Sequence, residues 1–252
     1  MRAARDVAGG IRYDLELVDG DERIPAIFLV PHAPGPQPAA LLLHGFGSEK
    51  ERMADSVGFA LMTRGVCALA IDLPMHGARS EGAATLSMSN PMQIVGTWRA
   101  AVREARCALE FLQRHDAVDP ARIGLVGYSL GSFLANIVAA DTPSVQAVVL
   151  AASGDLPEGL PFESLVRAVV DPLRAVRRLG GRPLLMVNGR FDRTVKPGRA
   201  ERLFAAAHEP KTMRWYGGGH WPPAREINYA AEWLASSLLE SHTPRTRASM
   251  GE

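Results

Sequence analysis

Short strand-like runs recur along the chain, each followed by a segment with helical spacing. No other feature limits its possible folds as tightly. The runs fall at residues 39–43, 66–71, 123–127, 147–151, 183–187 and 212–216. A strand with one face in water alternates apolar and polar residues. Continuous apolar runs instead suit strands buried on both faces of a mainly parallel sheet. Helical patterns lie between them, at 49–64, 91–115, 129–140, within 162–179, 197–207 and 223–239. Ser48 is placed to cap the first and Gly65 to end it, and Pro91 suits the opening turn of the second. Two earlier strand patterns, at 11–17 and 24–30, are joined by Asp19-Gly20-Asp21, a hairpin signal. Strands alternating with helices imply an α/β sheet with right-handed crossovers. The expectation is an eight-stranded, mostly parallel sheet with an N-terminal antiparallel hairpin and helices on both faces.

No internal repeat or composition break divides the chain, so residues 1–240 are read as a single domain. The polar, aperiodic stretch 241–252 is read as a frayed tail. Lys and Arg number 28 against 27 Asp and Glu, a net charge of +1. That balance provides no electrostatic footprint for nucleic acid or an anionic membrane. No stretch approaches the roughly 18 apolar residues of a spanning helix. The N-terminal MRAARDVAGG lacks an apolar signal-peptide core, so the expected location is the cytoplasm. The only cysteines, Cys67 and Cys107, sit in apolar patterns. They read as buried thiols rather than as a disulfide or metal framework.

The chemistry is most legible at Gly127-Tyr128-Ser129-Leu130-Gly131, between the apolar run 123–127 and the helix that follows. Gly-x-Ser-x-Gly at a strand-to-helix junction is the nucleophile elbow. The serine occupies a strained turn, and glycines two residues to either side let strand and helix approach closely. The helix N-terminus favours negative charge developing there. Ser129 is the candidate nucleophile.

With this elbow, His44-Gly45-Phe46-Gly47, Gly189-Arg190-Phe191-Asp192 and Gly217-Gly218-Gly219-His220, the chain resembles the α/β-hydrolases, from His44 to the helix after His220. The small size and Asp72-Leu73-Pro74-Met75-His76-Gly77 resemble the dienelactone-hydrolase-like and acetyl-xylan-esterase-like branch. The resemblance implies a serine esterase, and the roughly thirty residues between 147–151 and 183–187, which must also supply a crossover helix, leave room for only a minimal cap. Serine at 129 departs from the cysteine nucleophile of dienelactone hydrolase itself, and also from the aspartate of haloalkane dehalogenases.

A serine hydroxyl needs a base within hydrogen-bond reach, itself oriented by a carboxylate. Among the seven histidines, His220 alone follows the last strand in a glycine-rich loop, which can carry the imidazole over the sheet edge. By the same resemblance, His44 and His76, in loops after strands, are expected to be structural. Asp192, in the turn after 183–187, completes the chain order Ser…Asp…His that this fold uses. Asp155, one strand earlier, is its rival, and a turn-capping aspartate is the alternative for Asp192. The N–H of Leu130 belongs to the oxyanion hole by construction of the elbow, and by resemblance the N–H of Phe46 is the second donor.

Phe46, Tyr128, Leu130 and Trp221 flank these positions and are candidate pocket walls. Tyr128 and Trp221 are the substrate-binding candidates, and residues 81–90 form a possible rim loop. No motif for a metal, P-loop or dinucleotide is present, so neither cofactor nor metal is expected. The partner expected is a small-molecule ester, and the sequence leaves the oligomeric state open. Two other readings stay open. One is a peptidase or amidase of the prolyl-oligopeptidase-like branch, which would cleave an anilide better than the matching ester. The other is a catalytically silent scaffold, which a serine-directed probe would fail to label.

Overall fold

The computed structural model describes residues 3–80, 91–159 and 163–240. The rim loop expected at 81–90 and the tail expected at 241–252 lie outside them. The described residues form one nine-stranded sheet. Strands β1 (Ala3–Val7), β2 (Gly10–Asp19) and β3 (Glu22–Pro31) are antiparallel. Strand β3 then pairs antiparallel with β5 (Cys67–Ile71). From there β5, β4 (Gln37–Leu43), β6 (Val118–Tyr128), β7 (Val145–Ala151), β8 (Leu184–Gly189) and β9 (Lys211–Tyr216) run parallel, in that spatial order. Eight of these strands are the predicted ones. The ninth, β1, corrects the count. Its residues Ala-Ala-Arg-Asp-Val are mostly exposed and carry no apolar alternation, so only its ladder with β2 defines it. Asp19 pairs with Glu22, which leaves Gly20-Asp21 as the hairpin loop, with Gly20 at φ 60°.

Helices cover both faces, and strand alternation divides the core accordingly. On one side Leu41, Leu43, Leu69, Ile71, Leu125 and Met186 meet helices α3 (Pro91–Arg114), α4 (Leu130–Ala140), α6 (Pro172–Arg177) and α7 (Pro197–Ala206). On the other, Ala40, Leu42, Ala68, Ala70, Val149 and Leu185 meet α1 (Lys50–Met53), a π-helical turn (Ala54–Gly58), α2 (Phe59–Met62) and α8 (Ala224–Glu240). Small residues on that second face let α8 come close: a Cβ at Gly124 would lie 2.9 Å from a Leu234 methyl. Among the described residues between β7 and β8 the helices are α5 (Glu163–Val169), which has no buried residue, and α6, in keeping with a minimal cap.

One local expectation needs correcting. The first helix starts at Lys50, and neither Ser48 nor Glu49 caps it with a side chain. The cap comes from 22 residues away, where Asp72 Oδ1 accepts the Lys50 N–H at 2.8 Å. Asp72 Oδ2 also meets Lys50 Nζ at 2.8 Å and the Ala78 N–H at 3.0 Å. The carboxylate is fully buried, and a Cβ on Gly77 would collide with it, so that position admits only glycine. Asp72 thus joins the start of α1 to the turn after β5. Asp72→Ala removes a buried ion-pair partner and a helix cap together and should cost about 3 kcal/mol. The expected reading is a lower urea midpoint with an unchanged slope.

Candidate functional site

The loops that matter all leave the carboxyl ends of parallel strands. Strands β4 and β6 are neighbours, but the chain passes through β5 at the far side of β4 before it returns to β6. Their carboxyl ends therefore diverge at a switch point, where open α/β sheets form their crevices. The loop after β4 carries His44 to Gly47, and the turn after β6 carries Ser129.

Ser129 has φ 50° and ψ −117°, a conformation sparsely populated by residues with a side chain. Its N–H donates to Ala151 O at 2.9 Å. Its carbonyl accepts from the Ser132 N–H at 2.8 Å and from Ser132 Oγ at 2.6 Å. The flanking glycines are steric necessities. A Cβ on Gly127 would strike the Gly131 carbonyl, and one on Gly131 would strike the Leu43 carbonyl. Leu130 opens α4, so its N–H has no partner within the helix.

The three residues singled out from the sequence meet at this point. His220 Nε2 lies 2.8 Å from Ser129 Oγ, and His220 Nδ1 lies 2.8 Å from Asp192 Oδ2. Oδ1 of Asp192 accepts the N–H groups of Thr194 and Val195 at 2.8 and 2.9 Å, so the fully buried carboxylate is fixed from both ends. The imidazole keeps 19% exposure, enough for a substrate to reach it. Tyr216 Oη donates to Gly219 O at 2.8 Å and secures the glycine loop from below. The rival Asp155 is engaged elsewhere. Its carboxylate accepts from the Leu156 N–H and the Arg167 guanidinium and faces Arg202. A hydroxyl bonded to an imidazole whose other nitrogen meets a carboxylate is the arrangement that general-base activation needs.

Opposite the elbow, Gly45 packs closely enough that a Cβ there would sit 2.9 Å from the Tyr128 ring and 3.2 Å from Ser129 Cβ. The next residue, Phe46, is 70% exposed, and its ring meets that of His76 edge-on at 5.3 Å. His44 holds this loop. Its Nε2 accepts the Leu73 N–H at 3.0 Å, which leaves Nδ1–H to donate to Gly45 O at 2.8 Å. Burial lowers the His44 pKa to about 4, so the ring is neutral and its tautomer is set by those two partners. His76 Nδ1 lies 2.8 Å from Pro74 O. Both histidines hold loops together, as the sequence suggested. Burial likewise pushes the Cys67 thiol up to about 12, and Cys107 is half-buried.

The four candidate wall residues do not share one pocket. Tyr128 and Trp221 stack at 4.6 Å and line a cavity of about 280 Å³, floored by Val126, Val149 and Val187. Phe46 and Leu130 line a smaller one, about 140 Å³, with Leu73, Pro74 and Leu134. The residue before Ser129 thus faces one cavity and the residue after it the other. Two contributors escaped the sequence reading. Ser132 is recognisable afterwards as the small polar residue one turn into α4. Arg52, whose guanidinium lies 3.7 Å over the Trp221 ring, carries no local signal because α1 is distant from Trp221 in sequence.

Comparison with known proteins agrees with this architecture. A family model described as the alpha/beta hydrolase family matches residues 40–235. An uncharacterized protein of Mycobacterium tuberculosis is 31% identical over 188 residues, which are 72% of this chain and 62% of that protein. The chain thus spans under two thirds of the length of that relative. Among solved structures, a cold-adapted esterase from an Arctic intertidal metagenomic library superposes with a TM-score of 0.76 at 20% identity. The match covers 94% of this chain and 98% of that one. Acetyl xylan esterase 1 from Thermoanaerobacterium sp. gives 0.76 at 18% identity, over 93% of this chain and 86% of that one. Among the described residues no helix is long and apolar enough to cross a membrane.

The His44 geometry has a pH signature. Its folded pKa is about 4 against an ordinary 6.5, so the unfolded chain binds the proton more readily. The stabilisation is fully present above pH 6.5, falls as pH drops from 6.5 toward 4, and changes no further below that. It amounts to at most about 3 kcal/mol. Urea unfolding across this range should show a steeper loss for the wild type than for His44→Gln, which cannot titrate and can still accept from Leu73.

Proposed function

The chain belongs to the alpha/beta hydrolase family, and on that premise we propose that it is a serine hydrolase of carboxylic esters with short to medium acyl groups. The observation that carries the reading is the unbroken series from Ser129 Oγ through His220 to Asp192, with both links at 2.8 Å. In this mechanism Ser129 attacks the ester carbonyl while His220 Nε2 takes its proton, and Asp192 holds the imidazole tautomer and offsets its charge. The N–H groups of Phe46 and Leu130 receive the oxyanion, each donor contributing about 3 kcal/mol. His220 then protonates the leaving alkoxide. Deacylation repeats the sequence with water as the nucleophile.

The leaving oxygen must face His220 Nε2, the group that protonates it, so the alcohol half lies toward Trp221 and the acyl half toward Leu130. The small cavity at Leu130 favours short acyl chains. The esterase names of two structural neighbours speak for esters over amides.

The test is hydrolysis of p-nitrophenyl esters from acetate to palmitate. Rates should peak at short chains, and Ser129→Ala should lower kcat/KM by a factor of about 10⁴ or more. Retained activity in Ser129→Ala would overturn the assignment. An anilide cleaved faster than its matching ester would move the protein to the amidases.

A further inference from the structure

The larger cavity has a charged mouth that the triad chemistry does not use. Trp221 follows His220 and is 50% exposed. Tyr128 stacks on it with an interplanar angle of 27°. The Arg52 guanidinium carbon lies 3.7 Å from the indole centroid, a cation–π contact. A cation–π contact consumes none of the guanidinium's five N–H donors. Elsewhere arginines spend those donors on acids: Arg79 on Glu104, and Arg214 and Arg225 on Glu226. Among the described residues, no carboxylate or carbonyl meets the Arg52 edge.

The remaining walls decide what could bring an acceptor there. The floor is apolar, from Val57, Val126, Val187 and Ile227. The one acid among the described lining residues, Glu226, is buried, and each of its oxygens already meets an arginine. The cavity therefore presents an aromatic, apolar interior and one cation whose in-plane donors are unspent. That chemistry suits a group with an apolar body and a carboxylate at its outer end.

We propose that Arg52 is a specificity-determining residue that recognises a carboxylate on the alcohol half of the ester, favouring substrates whose leaving group is an apolar, aryl-sized body bearing that acid. The assignment rests on the esterase reading above, because only the need to protonate the leaving oxygen at His220 puts the alcohol half in this cavity. The guanidinium is exposed, so water screens the pair and the preference is modest.

The experiment compares kcat/KM for 4-acetoxybenzoate with that for its neutral methyl ester, in the wild type and in Arg52→Gln. The anionic-to-neutral ratio should fall at least fivefold in the variant, and intrinsic reactivities cancel in that comparison. Arg52→Lys should keep part of the preference because it keeps the charge. An equal loss on both esters would mean that Arg52 only props Trp221, and would overturn the proposal. Calorimetric titration with benzoate reads the same site without turnover. Benzoate should bind the wild type at least fivefold tighter than benzyl alcohol does, and Arg52→Gln should abolish the difference. Equal binding of the two would overturn the proposal. A protein that hydrolyses neither ester but discriminates benzoate through Arg52 would refute the esterase reading and leave the anion site standing.

Discussion

A serine held at φ 50° and ψ −117° is a cost the rest of the structure is arranged to bear. Such a conformation disfavours folding by about 1–3 kcal/mol unless its surroundings impose it. Here strand β6 and helix α4 are brought so close at Gly127 and Gly131 that no side chain fits at either, and Ser132 ties the turn from inside. Because β6 is a central strand with β4 and β7 on its flanks, the turn rests on the most constrained part of the sheet. The hydroxyl therefore projects from a rigid edge into a crevice created by strand order rather than by a mobile loop.

The loops around that edge are held by buried polar groups more than by apolar packing. His44 joins the Gly45 carbonyl to the Leu73 amide, and Asp72 joins α1 to the following turn. Tyr216 and the Thr194 and Val195 amides hold the His220 and Asp192 loops in the same way. Loops at a sheet edge lack the regular ladder that satisfies backbone groups, so side chains must supply the missing partners. Both the position and the neutral state of His44 follow from this duty: burial suppresses its charge, and a charged ring would lose its acceptor for Leu73.

Much of this was legible along the chain. Strand and helix periods mark eight of the nine described strands, and the glycines at a strand-to-helix junction single out Ser129. His220 is marked by its glycine-rich loop after the last strand, and Asp192 by the chain order that the resemblance implies, with Asp155 left as its rival. The misses share a cause. Strand β1 is defined only by its ladder to β2. The first helix is capped by Asp72 rather than by Ser48, a choice made by the turn after β5. The wall residues also divide between two cavities, because Tyr128 and Leu130 point to opposite sides of the elbow.

What the sequence determines by itself is whatever depends on local backbone geometry: strand and helix periods, the glycines a strained turn demands, and the order in which loops reach the edge. What only the tertiary structure decides is whatever depends on how α1 and α8 settle on the sheet. The Asp72–Lys50 cap and the contact of Arg52 with Trp221 are both of this kind. Each joins residues far apart in the chain, and their meeting is fixed by side-chain packing across the sheet face, which no local spacing encodes.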